Sequence, residues 1–560
     1  MAQTQPPLHE TKVQRHERIK AEQNPWEELP RLFQAFRAGH GAIAAADLTV
    51  RLRWWGLYTQ GDGEGAFGAA APYFMLRVRV PSGLLDAAQV RAVARIAERH
   101  GRGLADITVR QNFQLHWLEA EHLPDIFHQL WAVGLTSQAA CGDDTRNVTG
   151  CPLSGIDPEA FCEAGPIAAA VSRALISSPE YYNLPRKFKI CVTGCRQWCP
   201  NPEINDVAFT AHRRGDRLGF GLRVGGGLSS TPLLAVPLPV FVAADQVVPV
   251  ARAIVSLFRD RAELRQNRAK ARLKFLFLEH GWTAARFLDE IESRLGFALE
   301  RAEPDAPPAG DFRDHVGIHP QLQPGLFYAG VSVLRGRLSA AQLHAVADAA
   351  ERWGSGSIRA TAMQNLVVAD IPERHLAPLE RALAAAGLPL AASSFRRGVI
   401  SCTGKEFCKL AVTETKQAAA ALVAGLERRL PGFAVPIKIN LNGCPNSCGQ
   451  HWIADIGLQG VRVKTAGGPE DGFDVFLGGA LGRDAGLSRK TLGRVRAAEL
   501  ADRLAALLRF FAAERQGDEP FHAFVRRTEP ARLAAVLGQL PAVALPPLPS
   551  REDLISLEAV

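Results

Sequence analysis

The chain has 560 residues, 47% of them apolar and 22% charged. That composition excludes intrinsic disorder, and ten cysteines are too few for a disulfide-built secreted scaffold. A net charge of +8 favours anionic ligands or an acidic partner protein.

In chain order, residues 1–72 read as an N-terminal arm. The first thirty carry five glutamates, no serine and no apolar core segment, so neither a signal peptide nor a transit peptide is expected, and a cytoplasmic location is. Residues 73–80 alternate as a strand does, 86–100 have helical spacing, 106–118 read as a second strand and 122–132 as a second helix. The apolar stretch 231–255 is interrupted by Pro232, Pro237, Pro239, Asp245 and Pro249, which suits buried strand and loop, not a membrane span.

The strand–helix–strand–helix unit then recurs. Gln111-Asn112 returns as Gln364-Asn365, 253 positions later, and the same offset joins Phe74 to Phe327 and Gly134 to Gly387 without a gap. Farther on, FKICVTGCRQWCPNPEINDVAF (188–209) parallels IKINLNGCPNSCGQHWIADIGL (437–458), and VGGG (224–227) parallels LGGA (477–480). The expected fold is therefore α+β, an internally duplicated pseudo-twofold architecture of two ferredoxin-like βαβ units and two larger α/β units. The expected division is an arm (1–72), first repeat (73–140), first larger half (141–302), Pro-rich linker (303–311), second repeat (312–392), second larger half (393–482) and C-terminal tail (483–560). A site between the halves is the default expectation.

Cys402 and Cys408 stand as C-x5-C, and Cys444 and Cys448 as C-x3-C. Four thiolates in two close pairs suit an iron–sulfur cluster or a zinc ion, and the five-residue gap fits zinc poorly. Gly443 and Pro445 would bend the backbone so that its amides face sulfur. Lys187 and Lys189 are two apart on an apparent strand and so share a face, where like charge depresses the lysine pKa toward neutrality.

TGKEFCKL and NGCPNSCG, with RLRWWGLYTQ, FMLRVRVP, ITVRQNFQLHW, GDDTRNV, NLPRKFK and VGGGLS, resemble the sirohaem- and 4Fe-4S-dependent nitrite/sulfite reductase family, over about residues 51–482. The resemblance implies that Cys402, Cys408, Cys444 and Cys448 bind the cluster and that Cys448 bridges to the sirohaem iron. It implies Arg53, Arg110, Arg272 and Lys274, with Thr108, Gln114 and Asn446, as neighbours of the eight sirohaem carboxylates. It also implies Arg77, Arg146, Lys187 and Lys189 on the substrate side. Arg77, Arg79 and Arg110 become Gly330, Ser332 and Met363 in the second copy, so anion handling is expected in the first half alone.

The expected reaction is six-electron reduction of nitrite to ammonia by a monomer fed by a small acidic ferredoxin, with no nucleic-acid or membrane partner. Sulfite reduction to sulfide on the same cofactors is the alternative. Tyr73 is matched to a tyrosine that some sulfite-reducing relatives cross-link to a cysteine, and Asp144 stands where that cysteine would be, which favours nitrite; Lys189 favours sulfite. Three further features are set aside. GEGAFG (63–68) precedes a strand and is rejected as a dinucleotide loop. Cys191, Cys195 and Cys199, with Cys151 and the displaced Cys162, lack a matching fourth cluster ligand, which falls near Asp157. His116 and His451 are expected to be satisfied structural histidines.

Overall fold

The computed structural model describes residues 10–22, 24–63, 71–310 and 312–538. GEGAFG lies, but for Gly63, outside them. The α+β duplication expected from the repeat is what folds: the described residues form four five-stranded sheets in two related pairs.

The two ferredoxin-like units do not fold side by side. The first sheet runs Leu57–Thr59, Phe74–Val78, Phe113–Leu118, Leu104–Ile107 and then Arg337–Ser339 from the second repeat. The second runs Gly317–Pro320, Leu326–Val331, Leu366–Pro372, Ser357–Ala360 and then Leu84–Asp86 from the first. Each unit thus lends the other an edge strand, so neither sheet leaves that edge unpaired. Helices Ala87–His100 and Ala340–Trp353 each start on a capping box, Asp86 with Gln89 and Ser339 with Gln342. The two repeats share one core, in which Val90, Val93 and Leu115 join Leu343, Val346 and Ile358.

The run 106–118 is two strands, not one. The chain turns at 108–112, where Gln111 takes φ 60° and the Thr108 hydroxyl accepts from the amides of Arg110 and Asn112, each at 3.2 Å. Gln111 Nε2 donates to the carbonyls of Ser82, Gly150 and Ala360 at 2.9, 3.0 and 3.0 Å. Its repeat partner Gln364, at φ 61°, donates likewise to Ile107 and Ser401 at 2.9 and 3.1 Å. The Gln-Asn pair that revealed the repeat is therefore the pair of bolts between the units.

The exchange also buries charge. Arg337 Nε and Nη2 donate to the two Asp106 oxygens at 2.8 and 3.1 Å, with Lys416 Nζ 3.9 Å away. Burial alone would raise the Asp106 pKa, but Arg337 and then Lys416 outweigh it and hold the carboxyl well below its usual range. Asp106→Asn leaves Arg337 and Lys416 buried with less compensation, an expected loss of about 3 kcal/mol. Calorimetry should show a fall of several degrees in the unfolding midpoint; an unchanged midpoint would refute this account of the seam.

The two larger halves have cores of their own. In the second, parallel strands Val399–Ser401, Ile439–Asn442 and Ile456–Thr465 are followed by antiparallel Gly468–Leu477 and Arg489–Arg496. The region from 483 on, read as a tail, thus supplies an edge strand. It also supplies helix Leu500–Glu514, whose Leu504, Leu507 and Leu508 lie in that core. The arm is likewise integrated: Lys20 Nζ donates to the Leu184 carbonyl at 2.8 Å, and His16 and Arg268 reach Asp143 at 3.1 and 2.7 Å. Among the described residues no helix is long and apolar enough to cross a membrane.

Candidate active site between the halves

Both cysteine motifs begin just past the carboxyl ends of adjacent parallel strands: Cys402 follows Val399–Ser401 and Cys444 follows Ile439–Asn442. Strand ends of this kind are where α/β sheets place ligands. The Gly443 amide donates to Cys402 Sγ at 3.2 Å, as the bend around Cys444 anticipated. A Cβ on Gly443 would lie 2.7 Å from Ala411 Cβ, so a larger residue could not bring that amide in. Burial, then the nearby Cys448, pushes the Cys402 thiol up to about 12; burial also raises Cys408 and Cys444. Metal binding here must displace protons. Cys448 is exposed, presenting its sulfur on the open side of the motif.

Opposite stands a cationic recess from the first half. Arg146 donates to the carbonyls of Ala140 and Gly142 at 3.1 and 2.8 Å, and its Nε lies 3.5 Å from Asp144. Arg77 donates to the Ala140 carbonyl at 3.1 Å, Cys141 Sγ at 3.2 Å and Gln114 Oε1 at 3.1 Å. Gln114 Nε2 in turn reaches Thr403 Oγ1 at 3.3 Å, beside Cys402, joining the basic side to the cysteine side. Lys187 and Lys189 keep partial solvent contact yet are heavily desolvated, which describes side chains lining a deep recess. Desolvation lowers Lys187 to about 7 while Cys448, from the other half, partly restores its charge. Burial, then Arg272, Lys187 and Arg110, drives Lys189 well below its ordinary value.

The residues assigned to macrocycle carboxylates surround this recess. Burial lowers Arg110 to about 9; one Nη donates to Asn205 Oδ1 at 2.8 Å and Nε has no partner. Arg53 stacks its guanidinium 5.4 Å from the Tyr58 ring centre, also with an unpartnered Nε. Arg272 holds Asp206 bidentately at 3.1 and 2.7 Å, leaving its third nitrogen for another anion. Lys274, lowered to about 8 by burial and then by Arg272, is tied to the carbonyls of Gly227, Leu228 and Thr231. Thr108 shapes the turn that presents Arg110, and Asn446 hydrogen-bonds Cys444.

Three readings change. The Tyr73 hydroxyl accepts from Arg102 at 3.4 Å, and that guanidinium also lies over the Tyr73 ring. The tyrosine at the recess is Tyr58, whose hydroxyl accepts from the Gly142 amide at 3.3 Å and stands 3.5 Å from Arg146 Nη2. Asp144, read as a mere substitute for cysteine, is fully buried and pushed well above the usual carboxylate range by burial, which Arg146 beside it opposes. His451 is buried with neither ring nitrogen hydrogen-bonded, unlike the satisfied histidine expected. His116 is satisfied on one side only: Nδ1 is 2.9 Å from Gln60 Oε1, while Nε2 stands 3.4 Å from Asp106 Oδ2 without a hydrogen bond. Asp143 was missed because its partners, His16, Lys20 and Arg268, come from more than a hundred residues away on either side.

The nitrite and sulphite reductase 4Fe-4S domain matches residues 141–299 and again 392–539, and the nitrite/sulfite reductase ferredoxin-like half domain matches 69–133 and 319–386. The chain is 40% identical over 542 residues to a ferredoxin sulfite reductase of Mycobacterium tuberculosis, covering 93% of this chain and 96% of that one. It is 37% identical over 504 residues to a ferredoxin–nitrite reductase of Synechococcus elongatus, covering 89% and 96%. The structure of Mycobacterium tuberculosis NirA protein superposes with a TM-score of 0.87 at 39% identity, over 94% of this chain and 98% of that one.

Proposed function

The chain belongs to the nitrite and sulphite reductase family, and from that premise we propose that it reduces sulfite to sulfide with six electrons from reduced ferredoxin. Its cofactors are sirohaem and a 4Fe-4S cluster. The residues fit both. Cys402 and Cys444 lie at two adjacent strand ends with Cys408 and Cys448 a few residues on, and buried unpartnered nitrogens on Arg53, Arg110 and Arg146 suit an anionic macrocycle. When bound, the two cofactors would relay the electrons of ferredoxin and supply an iron to bind the substrate.

In this reading the chain's own groups do the rest. Arg77, Arg146, Lys187 and Lys189 hold the substrate oxygens, and their preset positions favour the charge that develops as oxygen leaves. Carbonyls of residues 140 and 142 lock the arginines. Lys187, lowered to about 7, is poised to give up a proton near neutral pH. Arg53, Arg110, Arg272 and Lys274 take the macrocycle carboxylates, with Thr108, Gln114 and Asn446 shaping the walls. The net charge of +8 suits a small acidic ferredoxin as donor.

The carrying observation is the pair Lys187 and Lys189 in one recess, each depressed by burial and by its cationic neighbours. A bound anion draws protons back onto these two lysines, and sulfite, partly dianionic near neutrality, does so more strongly than nitrite, a monoanion. Asp144 still bars a tyrosine–cysteine link, with Tyr58 as with Tyr73, and the lysine pair is weighed above it. Nitrite to ammonia is the second reading, favoured by the likeness of GDDTRNVTGCPLSGIDP to the nitrite-reducing branch. Steady-state comparison with reduced viologen should give the higher kcat/KM for sulfite; a higher value for nitrite overturns the choice.

The lysine carries its own prediction. Log kcat/KM for sulfite should be level where Lys187 is an ammonium and fall as pH rises through its pKa, at about 7 or higher because bound anions raise it. Lys187→Arg should remove that limb, since guanidinium stays charged. A limb unmoved in that variant would exclude Lys187.

A further inference from the structure

The cysteines set aside in the first half come together. Cys151, Cys195 and Cys199 are all buried, with their sulfurs within 4.8 Å of one another and Cys195 Sγ 3.6 Å from Cys199 Sγ. All three are free thiols. Among the described residues this is the group of metal-ligating atoms brought so close; the 402–448 cysteines are not. The spacing separates two kinds of site. A cube of four irons puts each thiolate on its own metal and spreads the sulfurs. One tetrahedral ion with Zn–S near 2.3 Å draws them to about 3.8 Å, the edge of the tetrahedron.

The surroundings suit one ion. The sulfurs pack with Leu153, Ile156, Tyr328, Val367 and Ala369, the last three from the second repeat. His315 is the imidazole within electrostatic reach of Cys195: its Nε2 is buried without a hydrogen-bond partner and its ring stands 6.5 Å from that of Tyr328, but its nitrogens lie outside the 4.8 Å group, so the ring must turn inward to ligate. The crossing chain also explains Gly330, where repeat symmetry would call for Arg77's counterpart: a Cβ there would lie 1.6 Å from the His315 carbonyl oxygen. Two buried guanidinium groups hold the ligand loops from the second-repeat side. Arg359 donates to the carbonyls of Pro152 and Ser154 at 2.9 and 2.7 Å, and Arg313 to that of Trp198 at 2.7 Å. They also offset the single negative charge left by three thiolates on a dication.

We propose that Cys151, Cys195 and Cys199 bind one zinc ion, with His315 as the fourth ligand, as a structural clamp between the first larger half and the second repeat. Binding releases the thiol protons to solvent and involves no change of oxidation state. A closed Cys3His shell leaves no position for substrate, so the ion acts on folding and not on the reaction.

The test is metal analysis of the purified holoenzyme from zinc-supplemented cells, with zinc-edge X-ray absorption. The expected result is one zinc per chain beside about five irons (one cluster and one haem iron), with about three sulfurs near 2.3 Å and one nitrogen near 2.0 Å. Cys199→Ser should lower bound zinc at least about fivefold with the visible spectrum and iron content kept, and His315→Ala should weaken zinc retention against a chelator by about 10-fold or more. About nine irons per chain, a wild-type protein without zinc, or an intact mass two hydrogens short would each overturn the site. Zinc retained undiminished in Cys199→Ser would do the same, and full retention in His315→Ala would remove His315 from it. None of these readouts depends on which anion the enzyme reduces.

Discussion

Replacement of Cys448 by serine is expected to lower turnover by at least about a thousandfold, ~4 kcal/mol of barrier, and to bleach the visible absorbance. The serine hydroxyl is a hard donor that stays protonated near neutrality, whereas a thiolate matches soft iron–sulfur metal. The position magnifies the loss. Cys448 is the exposed thiol of the four, within electrostatic reach of Lys187, while Cys402 and Cys408 are partly covered and Cys444 is buried. The change should not disturb the fold, because Cys448 belongs to none of the hydrophobic cores. Far-ultraviolet circular dichroism should therefore match the wild type while iron content falls. A variant with a wild-type visible spectrum and normal turnover would refute the cluster assignment at its root.

The second large effect belongs to Lys189. Exchange for asparagine should reduce kcat/KM for sulfite about 100-fold and for nitrite about 10-fold, the scale seen when one preset donor is removed from a dry site. The asymmetry follows from charge: a dianion loses more than a monoanion when one of two ammonium groups goes. The backbone at this position is secure, since the Lys189 amide donates to Asp206 Oδ2 at 2.8 Å whatever the side chain. Lys189 is also driven down by Arg272, Lys187 and Arg110, so a neutral residue relieves repulsion and the unfolding midpoint should hold or rise. That separates lost binding from lost structure. With one like charge gone, the Lys187 limb should move to higher pH. Equal losses for the two anions would remove Lys189 from substrate choice and leave the cofactor site as it stands.

The linear chain by itself determined the duplication, because residues facing one core repeat at an undisturbed offset of 253. Its two close cysteine pairs pointed to a metal cluster, and the resemblance of its motifs to the family's implied the basic set. Tertiary structure alone decided how the copies interlock. The exchanged strands Leu84–Asp86 and Arg337–Ser339 are three residues each, too short to show a period, and their partners lie about 250 positions away. The break at 108–112 was hidden for a related reason: the alternation resumes after the turn, so pattern alone reads one strand. Only packing showed that Tyr58 stands at the recess beside Arg146, and that Asp143 anchors the arm. The Cys151–Cys195–Cys199 group is the sharpest case. Compared with the second half it lacks a cluster ligand, whereas in space its three sulfurs close to the span of a single ion. Spacing along a chain encodes which residues share a strand or helix face. Distances between loops are set by the burial of cores hundreds of residues long, and those appear only when the chain is folded.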